Sequence, residues 1–86
     1  MNKWYLYIVR CADGSLYVGI TNGLKGRLKA HNSGKGAKYT YSKRPVDLVY
    51  FEEHKNHREA AKQEFQIKGW NKRKKENLIE FKKPIV

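Results

Sequence analysis

The chain has 86 residues, with 19 lysines and arginines against 8 aspartates and glutamates, which gives a formal net charge of +11 at pH 7. This length has room for one domain with a small core, so we predict a single domain over residues 1–86 with its core at about 3–82. No apolar run approaches the roughly 20 residues of a membrane-spanning helix, and such a basic domain is typical of proteins that bind a polyanion. Nucleic acid rather than a membrane is therefore the expected partner.

The cysteine content and the N-terminus indicate a cytoplasmic protein. Cys11 is the only cysteine, which excludes a disulfide framework and a cysteine-based zinc site. The residues from Met1 to Trp4 lead directly into a strand pattern, without the apolar core and cleavage site of a signal peptide. The reducing cytoplasm is the expected location.

The first two predicted elements are the strands of a β-hairpin, residues 5–9 and 16–20. Two registers are open, because the length of the loop decides which side chains share a face. A two-residue loop would place Tyr7 and Tyr17 on opposite faces. A three-residue loop, with Gly14 as a bulge, pairs Tyr7 with Gly19 and places both tyrosines on one face. The first strand has apolar side chains on both faces, so it is predicted to be central in its sheet.

Helical periodicity predicts a short helix over 24–31, with one stripe formed by Leu24, Arg27, Leu28 and His31. Arg27 and His31 therefore lie inside an apolar stripe. A buried cation there needs an anionic partner, either a carboxylate of the protein or the phosphate of a ligand. Gly34 is predicted to end the helix.

The segment from Asn32 to Pro45 interleaves glycines, cations and tyrosines. This composition suits a surface that binds a phosphate backbone and stacks on an unpaired base. A solvated basic loop has the same composition, so the alternative stays open. The substrate contacts predicted in this segment are Lys35, Lys38, Tyr39, Lys43 and Arg44.

A third strand is predicted over 46–51, and Asn56 followed by Glu59 is a capping pattern for the next helix. The apolar arc of that helix is formed by Ala60, Ala61, Phe65 and Ile67. Glu64 falls inside the arc. A carboxylate there and Arg27 on the buried side of the earlier helix suit an ion pair, or a metal ion beside the carboxylate.

The last predicted helix carries Leu78, Ile79 and Phe81, which we expect to dock on the domain before Pro84. It is preceded by Trp70 and by the basic run of residues 72–75. That run suits either contact with phosphates or a solvated helix end, and the sequence leaves both open.

These residues also carry a family resemblance. The sequence Tyr5-Leu6-Tyr7, the sequence Tyr17-Val18-Gly19, and the later Arg27, His31 and Glu64 resemble the GIY-YIG nuclease domain. The chain is most similar to the small stand-alone bacterial members (UPF0213-like), which are related to the nuclease domain of UvrC. The similarity covers nearly the whole chain. The departures are Tyr5 and Leu6 in place of Gly-Ile, and Val18 in place of Ile.

The resemblance implies a compact α/β (α+β) domain with a three-stranded, mainly antiparallel sheet flanked by helices. It also implies a metal-dependent endonuclease that hydrolyses DNA phosphodiester bonds, is structure-specific and serves DNA repair or recombination. One Mg²⁺ or Mn²⁺ would be held by Glu64, and Arg27 would bind the scissile phosphate. The implied catalytic residues are Tyr7, Tyr17, Arg27, His31 and Glu64, with Gly19 leaving room for substrate.

Plainer readings of the same residues remain. The two tyrosines are also ordinary strand aromatics, His31 is also a structural histidine, and Arg27 with Glu64 is also a structural ion pair. The alternative functions are a non-catalytic DNA or RNA binding module and a nuclease active only within a larger assembly. We expect a monomer that prefers DNA to RNA, with a repair protein as a further partner.

Overall fold

The computed structural model describes residues 3–81, so Met1, Asn2 and the segment 82–86 with Pro84 lie outside the described residues. Its elements in chain order are β1 (Trp4–Arg10), β2 (Leu16–Thr21), α1 (Leu24–Asn32), α2 (Lys38–Tyr41), β3 (Asp47–His54), α3 (His57–Lys68) and α4 (Lys72–Phe81). Within residues 3–81, no helix is both long enough and apolar enough to cross a membrane.

The three strands form one antiparallel sheet in the order β2-β1-β3, which confirms that the first strand is central. Tyr7 pairs with Gly19, so the three-residue loop is correct and the two-residue alternative is wrong. The reason is local. Gly14 has a φ of 87°, in the left-handed region that a bulge after a type I turn requires, and its N–H donates to the carbonyl of Cys11 at 2.9 Å.

Helices cover both faces of the sheet. On one face, Leu6 and Ile8 of β1 pack with Ile67 of α3 and Leu78 of α4. The opposite face is built from Tyr7, Val9, Cys11 and Val46, with Leu24 and Leu28 of α1 packed against it. The protein is thus a compact single domain in which β1 is buried from both sides, as its two apolar faces predict.

The capping prediction for α3 is confirmed, since Asn56 Oδ1 accepts a hydrogen bond from the Glu59 N–H at 2.9 Å. The predicted apolar arc of this helix is too wide, because Phe65 is 83% exposed while Ile67 is buried. Residues two apart on a helix point about 200° apart, so Phe65 and Ile67 cannot share a buried face.

The C-terminal helix docks by fewer residues than predicted. Leu78 is buried and Ile79 is half-buried, but Phe81 is 51% exposed. Two of the four cations in the run 72–75 make internal contacts. Lys72 Nζ donates to the Gly14 carbonyl at 2.9 Å, and Lys74 Nζ lies 4.4 Å from the centroid of the Trp70 ring.

Candidate active site

A buried chain of hydrogen bonds links β1, α1 and α2. The Tyr7 hydroxyl lies 2.8 Å from His31 Nε2, and His31 Nδ1 lies 2.8 Å from the Thr40 hydroxyl. Thr40 donates its own proton to the Ala37 carbonyl at 3.1 Å, so it can only accept from His31. In neutral His31 the proton is therefore on Nδ1, and Nε2 accepts the hydrogen bond of the Tyr7 hydroxyl.

The environment keeps His31 neutral and Tyr7 protonated at neutral pH. His31 is only 1% exposed, and this burial, with the nearby charge of Arg27, lowers the pKa of His31 below its ordinary value. Burial likewise raises the pKa of Tyr7 well above that of a free tyrosine. Tyr7 thus serves as a fixed hydrogen-bond donor to His31, and the structural reading of His31 as a satisfied histidine holds for its hydrogen bonds.

Two glycines make room for this chain of hydrogen bonds. A Cβ at Gly19 would lie 2.6 Å from the Tyr7 hydroxyl oxygen, so only glycine fits opposite this tyrosine. A Cβ at Gly36 would overlap the His31 ring and come within 2.7 Å of its Cα. Gly19 was expected from the family motif, whereas no feature of the sequence pointed to the roles of Gly36 and Thr40.

A sharp helix end returns the chain toward His31. Gly34, with a φ of 88°, follows α1, and its N–H donates to the His31 carbonyl at 3.2 Å. The N–H of Lys35 donates to the Ala30 carbonyl at 2.8 Å, which completes a Schellman motif and confirms Gly34 as the end of the helix. The motif places Gly36 and Thr40 back against the helix that precedes them.

The Tyr17 ring lies beside this buried chain, with its centroid 5.3 Å from that of His31 and 6.4 Å from that of Tyr7. It is half-buried and stacks on Tyr39 at 5.8 Å with an interplanar angle of 27°. Lys43 Nζ lies 5.0 Å from the centroid of the Tyr39 ring. Tyr39 and Lys43, both predicted from the loop composition, are therefore next to the tyrosine pair.

Glu64 of α3 borders the same region. Its side chain is 22% exposed and pairs with Lys68 at 3.1 Å, while Lys68 Nζ lies 6.0 Å from the centroid of the Tyr17 ring. The charge of Glu64 also contributes to the raised pKa of Tyr7, where the charge of Arg27 acts in the opposite direction. The placement of Glu64 on the inner side of its helix is thus confirmed.

The predicted burial of Arg27 is wrong. Arg27 is exposed, and none of the ion pairs within residues 3–81 involves it. Leu24 and Leu28 of α1 are sufficient to cover this face of the sheet. The Arg27 guanidinium lies at the edge of their apolar stripe and stays hydrated, so the free-energy cost of burying its charge is avoided. The structural ion pair of Arg27 with Glu64 is therefore absent from the described part of the chain.

The donor set suits an ion that keeps most of its water. Among residues 3–81, no group of three or more His, Cys, Asp or Glu side chains is placed to hold a metal ion. Glu64 is a single carboxylate at the edge of the tyrosine cluster. Magnesium is usually bound through one or two carboxylates together with water and substrate phosphates, so this arrangement fits it.

The remaining predicted contacts line two shallow grooves. Lys35 and Lys38 border one shallow groove and Arg44 borders another, with Tyr41 shared between the two. The structure thus separates the predicted loop residues into a pair beside Tyr17, formed by Tyr39 and Lys43, and a second group around Tyr41.

The lowered pKa of His31 predicts acid lability. In the unfolded chain His31 has the ordinary histidine pKa of about 6.5. Between this pH and the lower pKa of the folded protein, the unfolded chain binds a proton that the folded protein does not bind. Folding stability therefore falls as the pH drops below about 6.5, by up to about 1.4 kcal/mol per pH unit until the folded pKa is reached. Urea unfolding from about pH 7.5 to about pH 5 should show this slope in the wild type.

In His31→Gln the slope should disappear over that range, although the variant is less stable at neutral pH. His57→Gln is the matched control, because His57 is exposed and packs edge-on against Trp4. A slope that survives in His31→Gln would contradict the assignment of the lowered pKa to this residue.

Comparison with known proteins places the chain in a family. The sequence pattern of the GIY-YIG catalytic domain matches residues 3–77. A UPF0213 protein of Bacillus pumilus is 55% identical over 76 residues, which cover 88% of this chain and 78% of that protein.

Two structures determined by solution NMR are similar to this one. The UPF0213 protein of Bacillus halodurans is 42% identical with a TM-score of 0.61, and the match covers 93% of this chain and 85% of that chain. A protein from E. faecalis is 37% identical with a TM-score of 0.65 and coverage of 94% and 86%. The chain therefore belongs to the GIY-YIG family, whose defining unit is a nuclease catalytic domain.

Proposed function

We propose that this protein is a metal-dependent endonuclease that hydrolyses DNA phosphodiester bonds. The observation that carries the proposal is the convergence of Tyr17, the hydrogen-bonded pair Tyr7–His31, and the carboxylate of Glu64 at one edge of the sheet. Phosphodiester hydrolysis needs a positioned water, a proton acceptor and stabilisation of the charge that develops on phosphorus. These side chains, with Arg27 on the neighbouring helix, match those requirements.

The tyrosines have different roles in this proposal. Tyr7 is buried, has a raised pKa and donates a hydrogen bond to His31. It therefore fixes the geometry of the site and is not the general base. Tyr17 is half-buried and so partly accessible to solvent, which makes it the residue that orients the attacking water or accepts its proton. Tyr7 and His31 thus contribute to catalysis by positioning Tyr17, because both of their rings are in aromatic contact with it.

Arg27 and Glu64 act on the phosphate from two elements. The exposed guanidinium of Arg27 is free to bind two phosphate oxygens in a forked geometry that a lysine cannot reproduce. Glu64 would hold the Mg²⁺ or Mn²⁺ ion. When bound there, the ion supplies Lewis-acid stabilisation of negative charge on the phosphate oxygens.

The test is nicking of supercoiled and branched DNA by the purified protein, with Mg²⁺ or Mn²⁺ and with a chelator. We expect cleavage that requires the metal and is lost in Glu64→Gln, a substitution of equal shape that removes the charge. Circular dichroism and thermal unfolding establish that the variant is folded. Salt-sensitive DNA binding with no cleavage of any substrate would contradict the proposal and leave a binding module for DNA or RNA, or a nuclease active only within a larger assembly.

Lys68 competes with the metal ion for Glu64 in this arrangement, because its ammonium group already pairs with one carboxylate oxygen at 3.1 Å. We predict that Lys68→Met binds Mn²⁺ about twofold more tightly in the absence of DNA, since a half-exposed pair of this kind is worth about 0.3–0.5 kcal/mol. Isothermal titration calorimetry measures the affinity. Lys62→Met, an exposed lysine on the same helix, is the control and should leave it unchanged. Weaker binding in Lys68→Met alone would show that the lysine supports the site.

The proposal extends to the setting of the reaction. The net charge of +11 favours a polyanionic substrate, and we propose DNA rather than RNA, cut by a monomer in the cytoplasm. One site cuts one strand, so a monomer would nick. We propose action in DNA repair or recombination, alone or with a repair protein, as its role.

A further inference from the structure

Tyr41 forms a wall between two shallow cavities that the proposed reaction does not use. One, of about 470 Å³, is lined by Asn32, Tyr41, Ser42, Arg44 and Pro45. The other, of about 250 Å³, is lined by the residues from Gly34 to Lys38 and again by Tyr41. We call the two cavities together the Tyr41 groove. Tyr41 is 57% exposed, so its ring is accessible from this groove.

The groove lies on the other side of α2 from the active site. Tyr39 and Tyr41 are two residues apart on this short helix, and such residues point in nearly opposite directions. Tyr39 stacks on Tyr17, so Tyr41 faces away from the tyrosine pair. A strand that passes over α2 would therefore reach the Tyr41 groove after it leaves the active site.

Arg44 and Tyr41 form a fixed platform. The guanidinium carbon of Arg44 lies 4.8 Å from the centroid of the Tyr41 ring, and Arg44 Nε donates to the Tyr41 carbonyl at 2.7 Å. Both side chains pack against Gly34, where a Cβ would meet Arg44 Nη1 at 3.0 Å and Tyr41 Cε1 at 3.2 Å. The backbone hydrogen bond and the close glycine hold the platform in place before any ligand arrives.

The chemistry of the groove matches a nucleotide with an exposed base. An aromatic ring with an accessible surface binds the face of a base, and the lysines at positions 35 and 38 in the adjoining cavity suit its phosphates. In a duplex, each base is covered on both faces by its neighbours, so its face cannot contact a protein ring. Only unpaired bases can use this platform, whereas the backbone contacts near Tyr17 need no unpaired strand.

We propose that the Tyr41 groove binds unpaired bases, so that the preferred substrate is DNA with a single-stranded segment beside the cut. This inference rests on the proposed nuclease function, and it names the class of DNA structure that the nuclease selects. The groove itself binds with or without cleavage. An unpaired base stacks on the Tyr41 ring, and the phosphate of a nearby nucleotide then lies in the active site.

The test measures binding with no metal present. Fluorescence anisotropy gives the affinity for a labelled oligothymidylate and for a duplex of equal length, in chelator and at one salt concentration. Tyr41→Leu removes the π-face but keeps apolar bulk, and we expect a loss of roughly tenfold or more for the single strand with little change for the duplex. Tyr41→Phe keeps the ring and should bind as the wild type does. Phe51→Leu removes a similarly exposed ring on the sheet and should have no effect.

Each outcome decides the proposal. An equal loss on single strand and duplex, or no loss in Tyr41→Leu, would overturn it. Oligouridylate bound with the same dependence on Tyr41 would support the groove and identify the base rather than the sugar as the recognised group. The binding test needs no cleavage, so its failure can be told apart from that of the nuclease function. A wild-type protein that prefers the single strand but never nicks DNA would contradict only the nuclease function. An active nuclease whose binding does not depend on Tyr41 would contradict only this inference.

Discussion

Arg27→Ala is expected to bind DNA almost as well as the wild type and to cut it about 10²–10³-fold more slowly. The guanidinium is exposed and unpaired with any carboxylate of residues 3–81, so it can meet the charge that develops on the phosphate during hydrolysis. Its contribution to affinity is one charge among the 19 lysines and arginines of the chain. The salt dependence of binding should therefore decrease by only about one phosphate contact.

Single-turnover cleavage with protein in excess, measured beside binding at several salt concentrations, separates the two effects. Arg27→Lys keeps the charge but loses the fork, and we expect it to recover only part of the rate. Lys25→Ala removes an exposed cation from the same helix and is the matched control. A variant at position 27 that loses affinity while its rate at saturation stays intact would favour the non-catalytic binding module.

Much of the fold could be predicted because its signals are local in sequence. Gly14 in a turn between two strand patterns predicted the hairpin but left its register open between a two-residue and a three-residue loop, and the apolar residues on both faces of β1 predicted its central place. The caps at Asn56 and Gly34 were equally local, since a side chain or a left-handed residue satisfies backbone groups within a few positions. Tyr7 and Tyr17 share a face because the loop has three residues, which the sequence alone did not decide.

The wrong predictions of burial concern residues at the edge of the apolar stripe of a helix. Arg27 and Phe65 each lie beside the residues that cover the sheet, and periodicity alone did not show how wide the covered stripe is. The buried stripe of α3 needs only Ala60 and Ile67, so Phe65 turns to solvent. The buried stripe of α1 is equally narrow, so the Arg27 guanidinium lies in solvent, where the proposed function requires it.

Thr40 and Gly36 had no signal in the sequence. The role of Thr40 depends on a contact with His31, nine residues earlier, which exists only after the Schellman motif reverses the chain. That of Gly36 depends on the space left by the same reversal. Family comparison could identify motif positions such as Gly19, but the packing behind the motif required coordinates.

This packing makes Gly36 the most sensitive position for stability that we identify. Gly36→Ala places a methyl group in the space of the buried His31 ring, which is hydrogen-bonded at both nitrogens and has no room to move. Overpacking of this kind costs about 1–3 kcal/mol, and a domain of this size loses about 4–8 °C in melting temperature per kcal/mol. We therefore expect the melting temperature to fall by roughly 10 °C.

Gly26→Ala is the matched control, because the same change there meets nothing within 4 Å and lies in α1. Alanine is the better helix former by about 0.5–1 kcal/mol, so this variant should be more stable than the wild type. Opposite signs for the two glycines, measured by thermal unfolding, would show that the cost at position 36 is steric. If Gly36→Ala were as stable as the wild type, the His31 ring would have another position available, and its hydrogen bond with Tyr7 could not be a rigid part of the proposed active site.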